Sequence, residues 1–140
     1  MQKVLSIIMV NMVSIISFGV AAAGTDYKCT VDRFSIASGD TGKLYEYYKK
    51  QYIGKEFTVE RKTGYMTGEL KNSYFTEPQV IDYGSTENSY KVVTTMRVEE
   101  GAGAGSNIYA LTINEYEDTV RKPFVFMSND KVVFGTCVRY

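Results

Sequence analysis

Two cysteines, Cys29 and Cys137, stand near opposite ends of the chain and constrain its fold more than any other sequence feature. In an exported protein this pair predicts a disulfide, and two cysteines allow a single connectivity. Closing a loop of about 109 residues stabilises a fold by about 4–5 kcal/mol in the chain-entropy model. The bond also requires α-carbons within about 7 Å, so the two ends must meet. Free buried thiols are the alternative.

The N-terminal residues predict export. Lys3 precedes an apolar stretch from Val4 to Val20, and Ala21-Ala22-Ala23 supplies a small-residue cleavage site. We therefore expect residues 1–23 to be a signal peptide and residues 24–140 to form one domain, located in the periplasm or secreted. An uncleaved anchor helix is the alternative, because the apolar stretch is nearly long enough to span a bilayer.

Alternation of apolar and polar residues dominates the chain after residue 24, and this period of two predicts β-strands. Tyr, Val, Thr and Phe, which favour strands, are abundant in these segments. About eight strands are predicted, with turn signals between them. They cover Tyr27–Ile36, Phe57–Glu60, Tyr65–Leu70, Gln79–Tyr83, Tyr90–Glu99, Tyr109–Asn114, Phe124–Met127 and Val132–Tyr140.

One segment between the first two strands departs from this alternation. Its apolar residues recur near helical spacing, at Leu44, Tyr47, Tyr48 and Tyr52. We predict one short amphipathic helix over about residues 42–53. Asp40 or Thr41 is the expected N-cap, and Gly54 is the expected end.

The strand pattern and the disulfide together predict the fold class. In an antiparallel meander, the first and last strands lie side by side only if the sheet closes or nearly closes. We therefore predict a small, closed or nearly closed antiparallel β-barrel with the helix packed on it, an arrangement that also removes exposed edges. A β-sandwich satisfies the same disulfide and is the alternative.

Composition excludes several functions. The chain contains no histidine, which removes the histidine-dependent catalytic triads and the common zinc sites. Its 16 basic and 16 acidic residues are interspersed without a basic block, which argues against nucleic acid as a partner. We expect no metal, no cofactor and no enzymatic activity. The glycine-rich run 101–105 lacks the lysine of a phosphate-binding loop and is expected to be a linker.

Arginines are the first candidate ligand-binding residues. The stretch FTVERKTGYMTGEL, from Phe57 to Leu70, is predicted to turn at Lys62-Thr63, with Gly64 in the left-handed conformation. Arg61 follows Phe57 and Val59 at a spacing of two residues, so it is expected to face the same side of the sheet. It therefore lies at a rim in water, or points inward to hold an anion or a carboxylate. Arg33 is the second candidate.

Tyrosines are the other candidates. Several of the 12 tyrosines fall on the predicted helix. Tyr47 and Tyr48 either fix the helix on the sheet or form an exposed aromatic patch for a protein or a sugar.

The predicted function is that of a small exported binding protein. The ligand is an unknown small molecule in the barrel mouth, or another exported protein that receives a loop. Such a protein is similar in size, compartment and architecture to the periplasmic lysozyme inhibitors, which implies an inhibitor-like role. No membrane contact is expected after removal of the signal peptide.

Two alternatives remain. A carboxylate-dependent hydrolase without histidine would use acids such as Glu115, Glu117 and Asp118 with Arg61 or Arg33. The segment Gly135–Tyr140 resembles the C-terminal signal of bacterial outer-membrane β-barrels, which implies a small membrane barrel. Several predicted strands are shorter than the roughly 9–11 residues that such a barrel needs.

Overall fold

The structure is a computed structural model that describes residues 25–39, 41–72, 76–100 and 105–140. Three features predicted from the sequence lie outside these described residues. They are the signal peptide (residues 1–23), the proposed N-cap Asp40 and the glycine-rich linker up to residue 104.

Eight strands and one α-helix confirm the predicted secondary structure. The strands are β1 (Tyr27–Ile36), β2 (Glu56–Val59), β3 (Met66–Gly68), β4 (Gln79–Tyr83), β5 (Tyr90–Met96), β6 (Asn107–Ile113), β7 (Lys122–Ser128) and β8 (Lys131–Arg139). The helix, α1 (Lys43–Tyr52), lies between β1 and β2 as predicted, and a short 3-10 turn, Val98–Glu100, follows β5.

All eight strands form one antiparallel sheet in the order β3-β2-β1-β8-β7-β6-β5-β4. The sheet curls into a half-barrel, which confirms the predicted nearly closed architecture. Inward-facing side chains fill the interior, as shown by the edge-to-face contact of Phe57 and Phe124 with ring centroids 5.2 Å apart.

The predicted disulfide is present in the middle of this sheet. Cys29 and Cys137 lie directly opposite each other on β1 and β8, and both are fully buried. A disulfide of this kind forms in an oxidising compartment outside the cytoplasm. The first and last strands are therefore neighbours, as expected.

The break in the sheet lies between β3 and β4, which we call the seam. β3 is only three residues long and ends at Gly68, whose φ of 120° takes the chain out of the strand. The chain then turns inward, because Leu70 is buried in the core. A long edge-to-edge ladder between β3 and β4 therefore does not form among the described residues.

The hairpin between β2 and β3 covers the seam. Gly64 adopts the predicted left-handed conformation, with φ of 80°, and Glu60 and Lys62 face water as expected. Asn72, which is buried, fixes the hairpin from below. Its Nδ2 donates to the Gly64 carbonyl at 2.7 Å, and its Oδ1 accepts from the Met66 amide at 3.1 Å. The stretch from Phe57 to Leu70 is therefore the part of the chain that covers the open side.

The helix covers one end of the half-barrel, which we call the helix end. Three of its tyrosines pack around the Phe34 ring, with centroids 5.2–6.2 Å away, namely Tyr45, Tyr48 and Tyr52. The predicted N-cap at Thr41 is wrong, because Gly42 occupies the cap position without a side-chain hydrogen bond. The α1 segment ends before Gly54, as predicted. In the described ranges, no helix has the length and hydrophobicity of a membrane span.

Candidate functional site

Four charged residues occupy positions on the inner face of the sheet, each two residues away from a buried residue. They meet at the other end of the half-barrel, which we call the loop end. This end carries the β2–β3, β4–β5 and β6–β7 connections, the start of β1 and the end of β8. Apolar residues of the same phase are buried further along each strand. The four charged residues are Arg61, Glu115, Lys122 and Arg139.

Glu115 is a buried carboxylate paired with an arginine. Its side chain is 2% exposed, whereas the side chain of Arg139 is 46% exposed. Both the Nε and the Nη2 groups of Arg139 donate to the two carboxylate oxygens of Glu115. This hydrogen bonding raises the pKa of Arg139 above its ordinary value. The two-point geometry leaves the Nη1 donors of Arg139 unused by Glu115.

Lys122 places a second cation beside this pair. Its Nζ donates to the backbone carbonyl of Glu115 at 3.1 Å and to that of Glu117. No carboxylate of a described residue lies within ion-pair distance of this ammonium group. The lysine thus fixes the β6–β7 loop through neutral acceptors, and no acid of the described ranges compensates its charge.

Two tyrosines fill the interior below these charges. Tyr27 and Tyr90 are fully buried, and their ring centroids are 5.2 Å apart. The Tyr27 hydroxyl has no hydrogen-bond partner of normal geometry among the described residues. Burial and then the nearby Glu115 carboxylate raise the pKa of Tyr27 to about 12. Burial and then Tyr27 itself also raise the pKa of Tyr90.

A pocket of about 510 Å³ lies at the loop end and is lined in part by Glu115, so we call it the Glu115 pocket. Its charged lining residues are Glu115, Lys122 and Arg139, so the lining carries one net positive charge. The β4–β5 and β6–β7 connections complete its walls with Ser85, Thr86, Thr119 and Val120. A volume of this size is within the range of about 300–1,000 Å³ that small-molecule sites occupy.

Arg61 lies at the same end, but its guanidinium group is engaged by the fold. Nη2 donates to the carbonyl of Tyr83 and, at 3.3 Å, to that of Gly84, both on the far side of the seam. The Arg61 carbonyl in turn accepts from the Tyr90 hydroxyl at 3.0 Å. Arg61 therefore joins the β2–β3 hairpin to the end of β4.

The structure does not bring the other predicted candidates into the Glu115 pocket. Arg33 lies exposed on the convex face, with its guanidinium carbon 4.6 Å from the centroid of the Phe134 ring. Tyr47 and Tyr48 lie on α1 at the helix end. Tyr47 is 59% exposed, whereas Tyr48 packs against the core and lies under the Lys131 ammonium group at 4.8 Å.

Metal binding has no visible site in the described part of the chain, where no group of three or more cysteines or acidic residues is arranged to hold an ion. Comparisons with other proteins do not add a function. No family model, curated protein or solved structure is significantly similar to this chain. The geometry of the loop end therefore carries the functional argument.

The sequence contains a signal for Lys122 and Arg139, which our predictions missed, and for the burial of Glu115, whose predicted role was only that of an acid in a hydrolase. Glu115 continues the inward phase of Leu111 and Ile113, and Arg139 continues that of Cys137. Lys122 lies directly opposite Cys137 in the β7–β8 ladder. Acids at strand ends are usually solvated. This general tendency predicts an exposed Glu115, although its position in the alternation predicts an inward one.

Proposed function

We propose that this chain is a small exported binding protein that takes an anionic ligand in the Glu115 pocket at the loop end. The disulfide supports export, and the signal-peptide pattern of residues 1–23 favours a periplasmic or secreted location. Binding without catalysis fits a chain that lacks histidine.

The observation that carries this proposal is the charge state of the pocket. Arg139 neutralises the buried Glu115, which leaves the Lys122 ammonium without an acidic partner among the described residues. An ammonium group has three donors, and two of them reach backbone carbonyls. The third donor of Lys122 and the Nη1 donors of Arg139 together offer a site for a carboxylate or a phosphate.

The first test is thermal unfolding in the presence of small anions, with acetate, succinate, citrate and inorganic phosphate as probes. We expect at least one probe to raise the Tm in a concentration-dependent manner, because a ligand that binds the folded state stabilises it. The shift should weaken at high ionic strength, since exposed charges are screened within about 10 Å at 0.1 M salt.

Matched lysine variants connect this effect to the pocket. Lys122→Gln should abolish the shift, whereas Lys43→Gln, which removes an exposed charge at the helix end, should leave it unchanged. The absence of any shift in the wild-type protein, or an equal loss in both variants, would contradict the proposal. Turnover of a hydrolase substrate that is lost in Glu115→Gln would favour the carboxylate-dependent enzyme.

Export has a separate test. The intact mass of the protein recovered from a periplasmic or culture-supernatant fraction should correspond to a chain that begins at Gly24. A mass that retains residues 1–23 would favour the anchor-helix alternative.

A further inference from the structure

We infer that the anionic ligand is an acidic segment of another polypeptide, which places a carboxylate in the Glu115 pocket and an apolar side chain in a crevice at the seam. This inference rests on the proposed function, because it names the chemical class of the ligand for the same site. Three observations at the loop end support it.

The first observation is a set of exposed tyrosines at the loop end. Four exposed tyrosines lie at the loop end, together with Val120, which is 86% exposed. These tyrosines are Tyr65, Tyr83, Tyr116 and Tyr140. At the helix end the exposed apolar side chains are aliphatic apart from Tyr47. Tyrosine is enriched at protein interfaces, because its ring buries a large area while its hydroxyl stays in contact with water.

The second observation is a crevice of about 270 Å³ between the β2–β3 hairpin and β4, which we call the seam crevice. Tyr65, Tyr83, Pro78 and Val80 supply its apolar surface, and Lys62, Thr63 and Glu77 complete the lining with polar and charged groups. This volume is below the usual range of about 300–1,000 Å³ for small-molecule sites. It suits one apolar side chain of a larger ligand.

The third observation is that the two cavities are adjacent along the chain. Tyr83 lines the seam crevice and Ser85 lines the Glu115 pocket. Their α-carbons are therefore at most about 7 Å apart, since an extended chain rises by about 3.3–3.6 Å per residue. One extended ligand segment spans this distance with an acidic residue and an apolar residue two or three positions apart.

A polypeptide fits both cavities better than a free small anion. A free anion uses the cationic donors of Lys122 and Arg139 but leaves the tyrosines exposed. An acidic segment covers both features, because one extended chain carries an acidic and an apolar side chain. A sugar suits the tyrosines, but a neutral sugar lacks the charge that Lys122 requires.

The inference is tested with two fluorescent peptide libraries that differ at one position. One library carries a fixed Asp, and the matched library carries Asn at the same position, with random residues on both sides. We expect binding to the Asp library, measured by fluorescence polarisation, to be about tenfold tighter or more, as is typical of a hydrogen bond to a charged group. Equal affinities for the two libraries would overturn the inference.

Surface variants identify the part of the protein that binds. Val120→Ser and the double variant Tyr65→Ser/Tyr83→Ser should each weaken binding of the Asp library at least several-fold. Tyr47→Ser, which removes an exposed tyrosine at the helix end, should leave binding unchanged. If the double variant destabilises the seam, the Val120 variant still tests the inference. Val120 lies on an exposed loop, so its replacement should not disturb the fold. Equal losses in the Tyr47 variant would overturn the inference.

The outcomes separate this inference from the proposed function. If succinate or phosphate raises the Tm but peptides bind no more tightly than these free anions, the polypeptide inference fails and the anion site stands. If neither free anions nor peptides bind, both fail. Binding of neutral oligosaccharides in place of the Asp library would also overturn the polypeptide inference.

Discussion

Gly64 and Val92 are in direct contact across the open side of the sheet. A Cβ atom at position 64 would lie 2.7 Å from Val92 Cγ1, which is closer than real side chains approach. Gly64 belongs to the β2–β3 hairpin, and Val92 is a buried residue of β5. The half-barrel is therefore held shut at this point by packing instead of by a backbone ladder.

A matched pair of glycine variants measures this packing. Gly54 also has a positive φ, of 75°, but no atom lies within 4 Å of the place that a Cβ atom would take there. Gly54→Ala should therefore lower the free energy of unfolding only through backbone strain, by about 1 kcal/mol or more. Gly64→Ala should lower it by about 1–3 kcal/mol more, because the added methyl group overpacks the seam. Urea unfolding measures both values, and equal losses would contradict the contact.

Arg61 should act as a structural residue of the seam. Arg61→Ala removes the donors to the Tyr83 and Gly84 carbonyls. We expect the free energy of unfolding to fall by about 1–3 kcal/mol, as is usual for a charge-assisted hydrogen bond. Arg121→Ala, an exposed arginine of the β6–β7 loop, is the matched control and should change stability by less than about 0.5 kcal/mol. A neutral result for Arg61→Ala, combined with lost ligand binding, would instead make Arg61 a ligand contact.

Tyr27 should make the protein sensitive to alkaline pH. The folded protein keeps the Tyr27 proton until about pH 12, whereas the ordinary pKa of the group is 10.0. Between these pH values the folded state binds more protons than the unfolded state, so stability falls as the pH rises through this window. A shift of this size corresponds to about 2–3 kcal/mol. Urea unfolding at several pH values measures the slope.

The variant Tyr27→Phe tests this assignment. The slope above pH 10 should become shallower, although the raised pKa of Tyr90 should preserve part of it. At neutral pH the stability of the variant should stay within about 1 kcal/mol of the wild type, because the buried hydroxyl makes no hydrogen bond of normal geometry with a described residue. Tyr65→Phe, at an exposed position, should leave the slope unchanged. A large loss of stability in Tyr27→Phe at neutral pH would show that the hydroxyl bonds to Glu115.

Reduction of the disulfide should be slow in the folded protein and costly once complete. Both cysteines are fully buried between neighbouring strands, so a reductant reaches them after local opening. The double variant Cys29→Ala/Cys137→Ala should lose about 2–5 kcal/mol of stability. Thiol labelling after a timed exposure to a reductant, with and without urea, measures access to the bond, and urea unfolding measures stability. Fast labelling under native conditions would show that β1 and β8 separate easily.

Much of the fold could be predicted because each strand carries its own evidence. Period-two alternation predicts β1, β5 and β6, and the sequences of β7 and β8 are apolar in both phases, which is typical of buried strands. The pairing of β1 with β8 followed from the two cysteines. The position of the seam could not be predicted, because it depends on the early end of β3 and on the inward turn at Leu70. Both are tertiary features with weak local signals.

The candidate site was harder to predict. The inward position of Arg61 conflicts with its charge and marks it as a candidate, but the acceptors of its guanidinium group are carbonyls more than twenty residues away in sequence. Glu115 and Arg139 are partners 24 residues apart, and no local pattern joins them. The position of each residue in the apolar–polar alternation indicates only that its side chain faces inward. The partner of each charge became visible only once the strand order was known.

The strand order also has a consequence for how the chain folds. The Tyr140 amide donates a hydrogen bond of 3.1 Å to the Asp26 carbonyl. A short peptide can therefore connect residue 140 to residue 26. Opening the chain in the β3–β4 connection would then yield a circular permutant in which all neighbouring strands are consecutive. The native order instead requires β1 to find β8 across a sequence separation of 108 residues. The permutant has a lower contact order, and it should fold faster than the native arrangement.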